Sequence, residues 1–122
     1  MLIFTHFLSK LQNASRKKQS IVHFPYSKIC YDAAQLLKNE GLIKRVEVDS
    51  ENSKLWLVLK YQKDTPLIQR IQQYSTCGRS IFWRLSDFPE TGLYLLSTSK
   101  GILSKKDAFQ QQVGGQVLCR IF

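Results

Sequence analysis

Within five consecutive residues, Ser97, Thr98, Ser99, Lys100 and Gly101 place three hydroxyls, an ammonium group and an unhindered backbone position side by side. Each hydroxyl both donates and accepts on a short stem, the lysine adds a mobile positive charge, and glycine lets the chain turn where a side chain would clash. That combination suits an anion, or the sugar-phosphate edge of a nucleic acid. The competing reading is a polar turn between two elements. Ser97 and Lys100 also have the S-x-x-K spacing by which a lysine activates a serine nucleophile. The companions of that chemistry are missing, because Ser86-Asp87 is followed by Phe88 and no K-T-G run exists. His6 and His23 have no evident carboxylate or cysteine partner, and the acidic residues form no pair suited to general acid-base work. No enzymatic activity, cofactor or small-molecule substrate is expected. Cys30, Cys77 and Cys119 stand far apart without C-x-x-C spacing, so they read as small apolar residues in a reducing compartment and not as metal ligands.

Two further groups bear on the same chemistry. Asn13-Ala14-Ser15 leads into Arg16-Lys17-Lys18, which is either a solvated loop or a phosphate clamp. Ile81-Phe82-Trp83 sets bulky aromatics beside arginines, where a ring either stacks on a base or belongs to the core. The charge of the whole chain favours a polyanionic partner: 18 Lys and Arg against 9 Asp and Glu in 122 residues give +9. The excess lies in both halves, which points to a basic folded body and not to a basic tail.

The elements that must position these groups are legible in outline. Phe4, Phe7, Leu8 and Leu11 mark one face of a helix over roughly 3–14. Ser20 to Phe24 suits a short strand closed by Pro25. Ser27 occupies an N-cap position before Ile29, Ala33, Leu36 and Leu37 at helical spacing, and Asn39-Glu40-Gly41 supplies the stop. Leu42 to Val48 and Lys54 to Tyr61 read as strands around a polar turn, with Leu55, Leu57, Leu59 and Tyr61 on one face. The pattern breaks at Gln62-Lys63-Asp64-Thr65-Pro66, a boundary between an N-terminal lobe, 1–62, and a C-terminal lobe, 63–122. Leu67 to Tyr74 fits a strand or a short helix. Thr76 to Arg79 reads as a turn, Ile81 to Trp83 as a strand, and Asp87 to Gly92 as a connection. Leu93 to Leu96 is a buried strand ending in the hydroxyl-rich loop. Ser104 and Asp107 have capping-box spacing for a helix to about Gln112, broken by Gly114-Gly115. Gln116 to Phe122 is a last strand, with Val117, Cys119 and Ile121 alternating against Leu118, Arg120 and Phe122. The predicted class is α+β, an α-β-α-β-β lobe followed by a mostly β lobe with a short helix. No run is long and apolar enough for a membrane helix, and the apolar N-terminus lacks a signal peptide's basic lead and cleavage site.

Leu93-Tyr94-Leu95-Leu96-Ser97-Thr98-Ser99-Lys100-Gly101-Ile102 and Val113-Gly114-Gly115-Gln116-Val117-Leu118-Cys119, a helix apart, resemble the C-terminal signature of the family of the eighth protein of the small ribosomal subunit. Phe24-Pro25-Tyr26-Ser27-Lys28 and Glu40-Gly41-Leu42-Ile43 look like that family's start and end of helix two. Leu11-Gln12-Asn13-Ala14 resembles the end of its first helix, and Tyr74-Ser75 with Gly78 its central turn. The resemblance implies a two-lobed α+β protein that binds small-subunit rRNA at a helical junction of the central domain, supporting assembly and translation. It implies that Ser97, Thr98 and Ser99 contact RNA in a widened minor groove. The residue chemistry agrees, since an A-form duplex displays 2′-hydroxyls and base edges there.

The candidate RNA-contacting residues are therefore Ser97, Thr98, Ser99, Lys100 and Gly101, with Gly115 and Gln116 of the second signature. Lys28 and Asn13 beside the matched helix ends, the Arg16-Lys17-Lys18 cluster and Phe82 complete the set. Expected partners are small-subunit rRNA and neighbouring ribosomal proteins, with no membrane. The alternative of another class is a free-standing basic RNA-binding regulator that represses an mRNA. The sequence departs from the family pattern: Cys77 replaces a usual proline, Arg79 lies one place early, Ser80 takes the usual arginine position, Phe82 replaces a tyrosine and Gln116 a glutamate. Helix one also lacks the usual acidic, proline-bearing lead-in. These departures point to an organellar copy in the mitochondrial matrix, the alternatives being a plastid or a bacterial cytoplasm.

Overall fold

The computed structural model describes residues 2–75, 80–83 and 92–121. The expected turn at Thr76–Arg79 and most of the Asp87–Gly92 connection lie outside the described residues. The first half runs α1 (Leu2–Arg16), β1 (Ile21–Pro25), α2 (Lys28–Asn39), β2 (Ile43–Asp49) and β3 (Lys54–Leu59). Two short strands follow, β4 (Tyr61–Gln62) and β5 (Thr65–Pro66). The second half comprises β6 (Ile71–Gln73), β7 (Phe82–Trp83), β8 (Leu93–Thr98), β9 (Gly101–Ser104), α3 (Lys105–Gln111) and β10 (Gly115–Ile121). The α+β class stands, and of the Leu67 to Tyr74 segment only Ile71–Gln73 is a strand.

The three helices share one mode of ending. After α1, Lys18 N–H donates to Ser15 O and Gln19 N–H to Ala14 O, while Lys18 adopts φ 56°. After α2 the same pair of bonds runs from Gly41 to Lys38 and from Leu42 to Leu37, with Gly41 at φ 82°; after α3 it runs from Gln112 to Phe109 and from Val113 to Ala108, with Gln112 at φ 54°. Each is a Schellman motif closed by a left-handed residue. Only α2 uses the glycine that this conformation favours. Consequently α1 runs to Arg16, two residues past the expected end, and α3 stops before Gly114-Gly115. Ser104 Oγ accepts from Asp107 N–H at 3.2 Å and opens α3 as expected. Ser27 stands at the N-cap of α2, but its side chain makes no capping bond.

β3 is the centre of a three-stranded antiparallel sheet in the order β1-β3-β2. Leu55, Leu57 and Leu59 face inward and Trp56 outward, as the alternation requires. In the second sheet the order is β6-β10-β8-β9, with β7 pairing β10 farther along. The main core joins Phe4, Phe7 and Leu11 of α1 and Ala33, Ala34 and Leu37 of α2 to inward residues of both sheets, Leu95, Cys119 and Ile121 among them. A second core, on the side of α3, contains Tyr94, Leu96, Ala108 and Val117, with Tyr74 and Trp83 against it.

The alternation expected in β10 fails at its middle. Val117, Leu118 and Cys119 are all buried, because the register with β8 shifts between Val117 and Cys119. This bulge lets one strand serve both cores. Ser75, itself buried, locks it: its hydroxyl donates to Val117 O and accepts from Ile81 N–H at 2.9 Å. Val117 N–H in turn donates to Ile81 O at 2.8 Å.

Candidate nucleic-acid interface

The hydroxyl-rich stretch is a β-hairpin and not a loop after a strand. β8 continues through Ser97 and Thr98, Ser99 and Lys100 make the two-residue turn, and Gly101 begins β9, with Thr98 paired to Gly101 and Ser97 to Ile102. Gly101 has φ 101°, which explains the glycine at the turn's exit. Thr98 Oγ1 donates to Gly101 O at 2.8 Å and accepts from Lys100 N–H at 3.1 Å. Its hydroxyl therefore belongs to the turn. The hydroxyls of Ser97 and Ser99 make no hydrogen bond among the described residues, and Ser99 and Lys100 are exposed at the tip.

Strand register extends the hairpin into a surface. Ser97 pairs with Gln116 on β10, and Gln116 pairs with Phe82 on β7. Paired residues of adjacent strands share a face, so Ser97, Gln116 and Phe82 form one row across three strands. Phe82 is 68% exposed because its neighbour Trp83 is fixed on the opposite face, against Tyr74 with ring centroids 4.9 Å apart. Period two then turns Phe82 outward. Gln116 Nε2 donates to Ser80 Oγ at 3.3 Å. Ser80 was not among the predicted residues; only the β7–β10 register brings it to the row, and nothing in its local sequence signals that.

Gly115 has a different reason to be glycine. A Cβ there would lie 2.3 Å from Ser97 O and 2.9 Å from Thr98 Cγ2. The bare backbone lets β10 close on the hairpin and fixes where Ser97 stands.

Lys28 arrives from the first turn of α2. It lines a cleft with Ile29, Asp32, Ser97, Gly101 and Ile102, so the structure brings it to the hairpin. Its ammonium pairs with Asp32 at 2.9 Å, and that hydrogen bond raises its pKa. Asn13, Arg16, Lys17 and Lys18 lie elsewhere. Gln12, one residue before Asn13, contacts Ile71; Ile71 pairs with Ile121, and Ile121 with Leu93, the opposite end of β8 from Thr98. Five residues of strand separate those ends by about 17 Å. The predicted set thus divides into a hairpin group and an α1 group.

The sequence pattern of the ribosomal protein S8 family matches residues 3–122. The chain belongs to the ribosomal protein S8 family. It is 36% identical over 122 residues to the small ribosomal subunit protein uS8 of Parvibaculum lavamentivorans, covering 94% of this chain and 92% of that protein. The uS8 proteins of Rhodospirillum centenum and Dictyoglomus thermophilum are 32% and 35% identical over the same shares. Membership in the S8 family extends over both sheets and both signatures, hairpin and double glycine. In this chain the two signatures meet in space, since Gly115 pairs with Thr98.

Proposed function

We propose that this S8-family chain, a structural constituent of the small ribosomal subunit, binds small-subunit rRNA through the hairpin end of its second sheet. The observation that carries the reading is the in-register row of Ser97, Gln116 and Phe82 beside the exposed Ser99-Lys100 tip. Strand-borne Ser97 and Gln116 present donors and acceptors at fixed spacing to 2′-hydroxyls and base edges of a widened minor groove. Phe82 offers a ring for stacking on an unpaired base or ribose. Lys100, and Lys28 in exchange with Asp32, supply charge without sequence preference. Thr98 and Gly115 act through the protein, by holding the turn and the strand spacing. The RNA is the helical junction of the central domain, neighbouring ribosomal proteins are further partners, and the compartment is an organellar, mitochondrial ribosome; the departures at Cys77, Ser80, Phe82 and Gln116 support that compartment.

Sedimentation of the native protein from its own cells tests the role. It should travel with the small-subunit particle, and a predominantly free or mRNA-bound pool would overturn the ribosomal assignment in favour of a free-standing regulator. For the interface, affinity for a central-domain rRNA fragment is measured with Ser99→Ala and Phe82→Ala. Each should weaken binding by about 1–3 kcal/mol, from a lost interfacial hydrogen bond and a lost stacking contact respectively. Wild-type affinity in both variants would remove the hairpin end as the binding surface.

A further inference from the structure

β2 is the longest free strand edge among the described residues. Its seven residues pair with β3 on one side, and no described strand lies on the other. β1 has five residues and is closed by Pro25, which has no N–H to extend a ladder, β9 has four, and the remaining edge strands have three or fewer. Register with β3 fixes the faces of β2. Arg45, Glu47 and Asp49 stand opposite Val58, Trp56 and Lys54 on the outer face, whereas Val46 and Val48 stand opposite the buried Leu57 and Leu55. Val48 is nevertheless 47% exposed, so an apolar side chain on the core side of the sheet lies open at its edge.

Free edges are ordinarily blunted by charge, most often by lysine. β2 instead carries both signs, Lys44 and Arg45 before Val46 and Glu47 and Asp49 after it, a neutral strip in a chain of net charge +9. We infer that β2 is a docking edge for a second copy of this chain, the two strands pairing antiparallel about a two-fold axis at Val46 to join both sheets into one of six strands. Paired residues share a face, so the axis passes through a residue and not between two. An axis at Arg45 sets that residue against itself, and an axis at Glu47 does the same; like charges directly opposite are destabilising. At Val46 the conflict vanishes. Arg45 of each copy then meets Glu47 of the other, and Lys44 reaches Val48 of the second copy with its methylene stem. The contact that Arg45 and Glu47 make within one strand, 3.1 Å between two well-exposed side chains, is exchanged for one across the ladder. The bulge between Ile43 and Arg45 keeps the ladder short. It buries less than the roughly 800 Å² per partner of a stable complex, so association is weak and depends on concentration. Ser97, Gln116 and Phe82 lie in the other sheet and take no part, so the inference is independent of the RNA-binding reading.

Sedimentation equilibrium of the intact, RNA-free protein tests the pairing, at about 0.15 M salt, where the general repulsion of two basic molecules is screened beyond about 8 Å. Concentrations from about 10 µM to about 1 mM span what a small, transient interface requires. A monomer–dimer equilibrium is expected. Arg45→Glu alone, or Glu47→Arg alone, sets like charges opposite in both pairs and should raise the dissociation constant at least about tenfold. The double variant Arg45→Glu/Glu47→Arg restores opposite charges and should return to within about threefold of wild type. An equimolar mixture of the two single variants should associate as wild type does, because each supplies the charge that the other lacks, a recovery that a damaged fold would not show. Monomer across the whole range overturns the inference, and so does a dimer that both single variants leave unchanged. A double variant and a mixture that stay as weak as the single variants overturn the register, and with it the pairing of β2 with itself.

Discussion

Replacing Gly115 with alanine tests whether the double glycine serves the fold or the ligand directly. The added Cβ would sit 2.3 Å from Ser97 O, 3.0 Å from Ser97 C and 2.9 Å from Thr98 Cγ2. Comfortable heavy-atom contacts begin at roughly 3.5 Å, so β10 must withdraw by about 1 Å. The obstacle is strand backbone, which cannot swing aside as a side chain can. Withdrawal loosens the pairs Gly115 to Thr98 and Gln116 to Ser97. Overpacking of this kind costs about 1–3 kcal/mol, offset by up to about 1 kcal/mol from the stiffer unfolded chain. A net loss of about 1.5 kcal/mol follows. With a urea m-value of about 2 kcal/mol/M, the midpoint should fall by about 0.7 M at unchanged m. Gly114→Ala is the internal control, since a Cβ there meets nothing within 4 Å and the residue has no positive φ. Its midpoint should stay within about 0.25 M of wild type, a change below 0.5 kcal/mol. Equal midpoints for the two variants would refute the close-approach argument and return Gly115 to direct contact with RNA.

Other expectations follow from the same contacts. Thr98→Val removes the turn's hydroxyl and should cost about 1 kcal/mol of stability in urea melts, whereas Ser99→Ala should leave stability unchanged; the reverse order would mean that the tip and not the strand end caps the turn. Ser75→Ala strands the buried Val117 carbonyl and the Ile81 amide and should cost about 2–3 kcal/mol, while Ser15→Ala, whose buried hydroxyl has no partner among the described residues, should be neutral or slightly stabilising in the same melt. Burial pushes the Cys119 thiol up to about 12 and the Cys30 thiol up to about 11, from 9.0. These thiols stay neutral in the fold, so their contribution is full below about pH 9 and is lost as pH rises toward those values, by up to about 1.4 kcal/mol per pH unit for each thiol. Cys119→Ala should flatten the decline of stability between pH 9 and 10.5 relative to wild type, and identical slopes would place that thiol in water.

Much of this was legible because burial imposes period. The α1 stripe, the Leu55-Leu57-Leu59 face and the Gly41 stop each follow from spacing that only one element satisfies. Legibility ended where long-range pairing decides. Thr98 ends a strand because Gly101 lies opposite it, a fact that resides in a partner strand and not in the run of hydroxyls itself. The regular alternation read into Gln116 to Phe122 fails because a bulge is needed where one strand leaves one core and enters another. The glycines after α3 looked like its terminator, yet Gln112 ends that helix in a left-handed conformation and Gly115 answers to Ser97.

On the proposed reading, carrying the RNA-contacting groups on strands, and not on a loop, has a physical consequence for recognition. A flexible loop that orders on binding surrenders conformational entropy for each side chain that it fixes, and this offsets part of each hydrogen bond gained. Ser97 and Gln116 have already met that cost in folding, since their backbones lie inside a four-strand arrangement braced by the bulge and by the Tyr74-Trp83-Tyr94 cluster. Their spacing is fixed before RNA arrives, so a groove of the wrong width meets unpaired donors and acceptors. The mobile group is Lys100, at the exposed tip, where a charge that tolerates many positions does little to select among them. On the proposed reading, discrimination falls on the rigid row across β8, β10 and β7 and affinity on the tip of the hairpin.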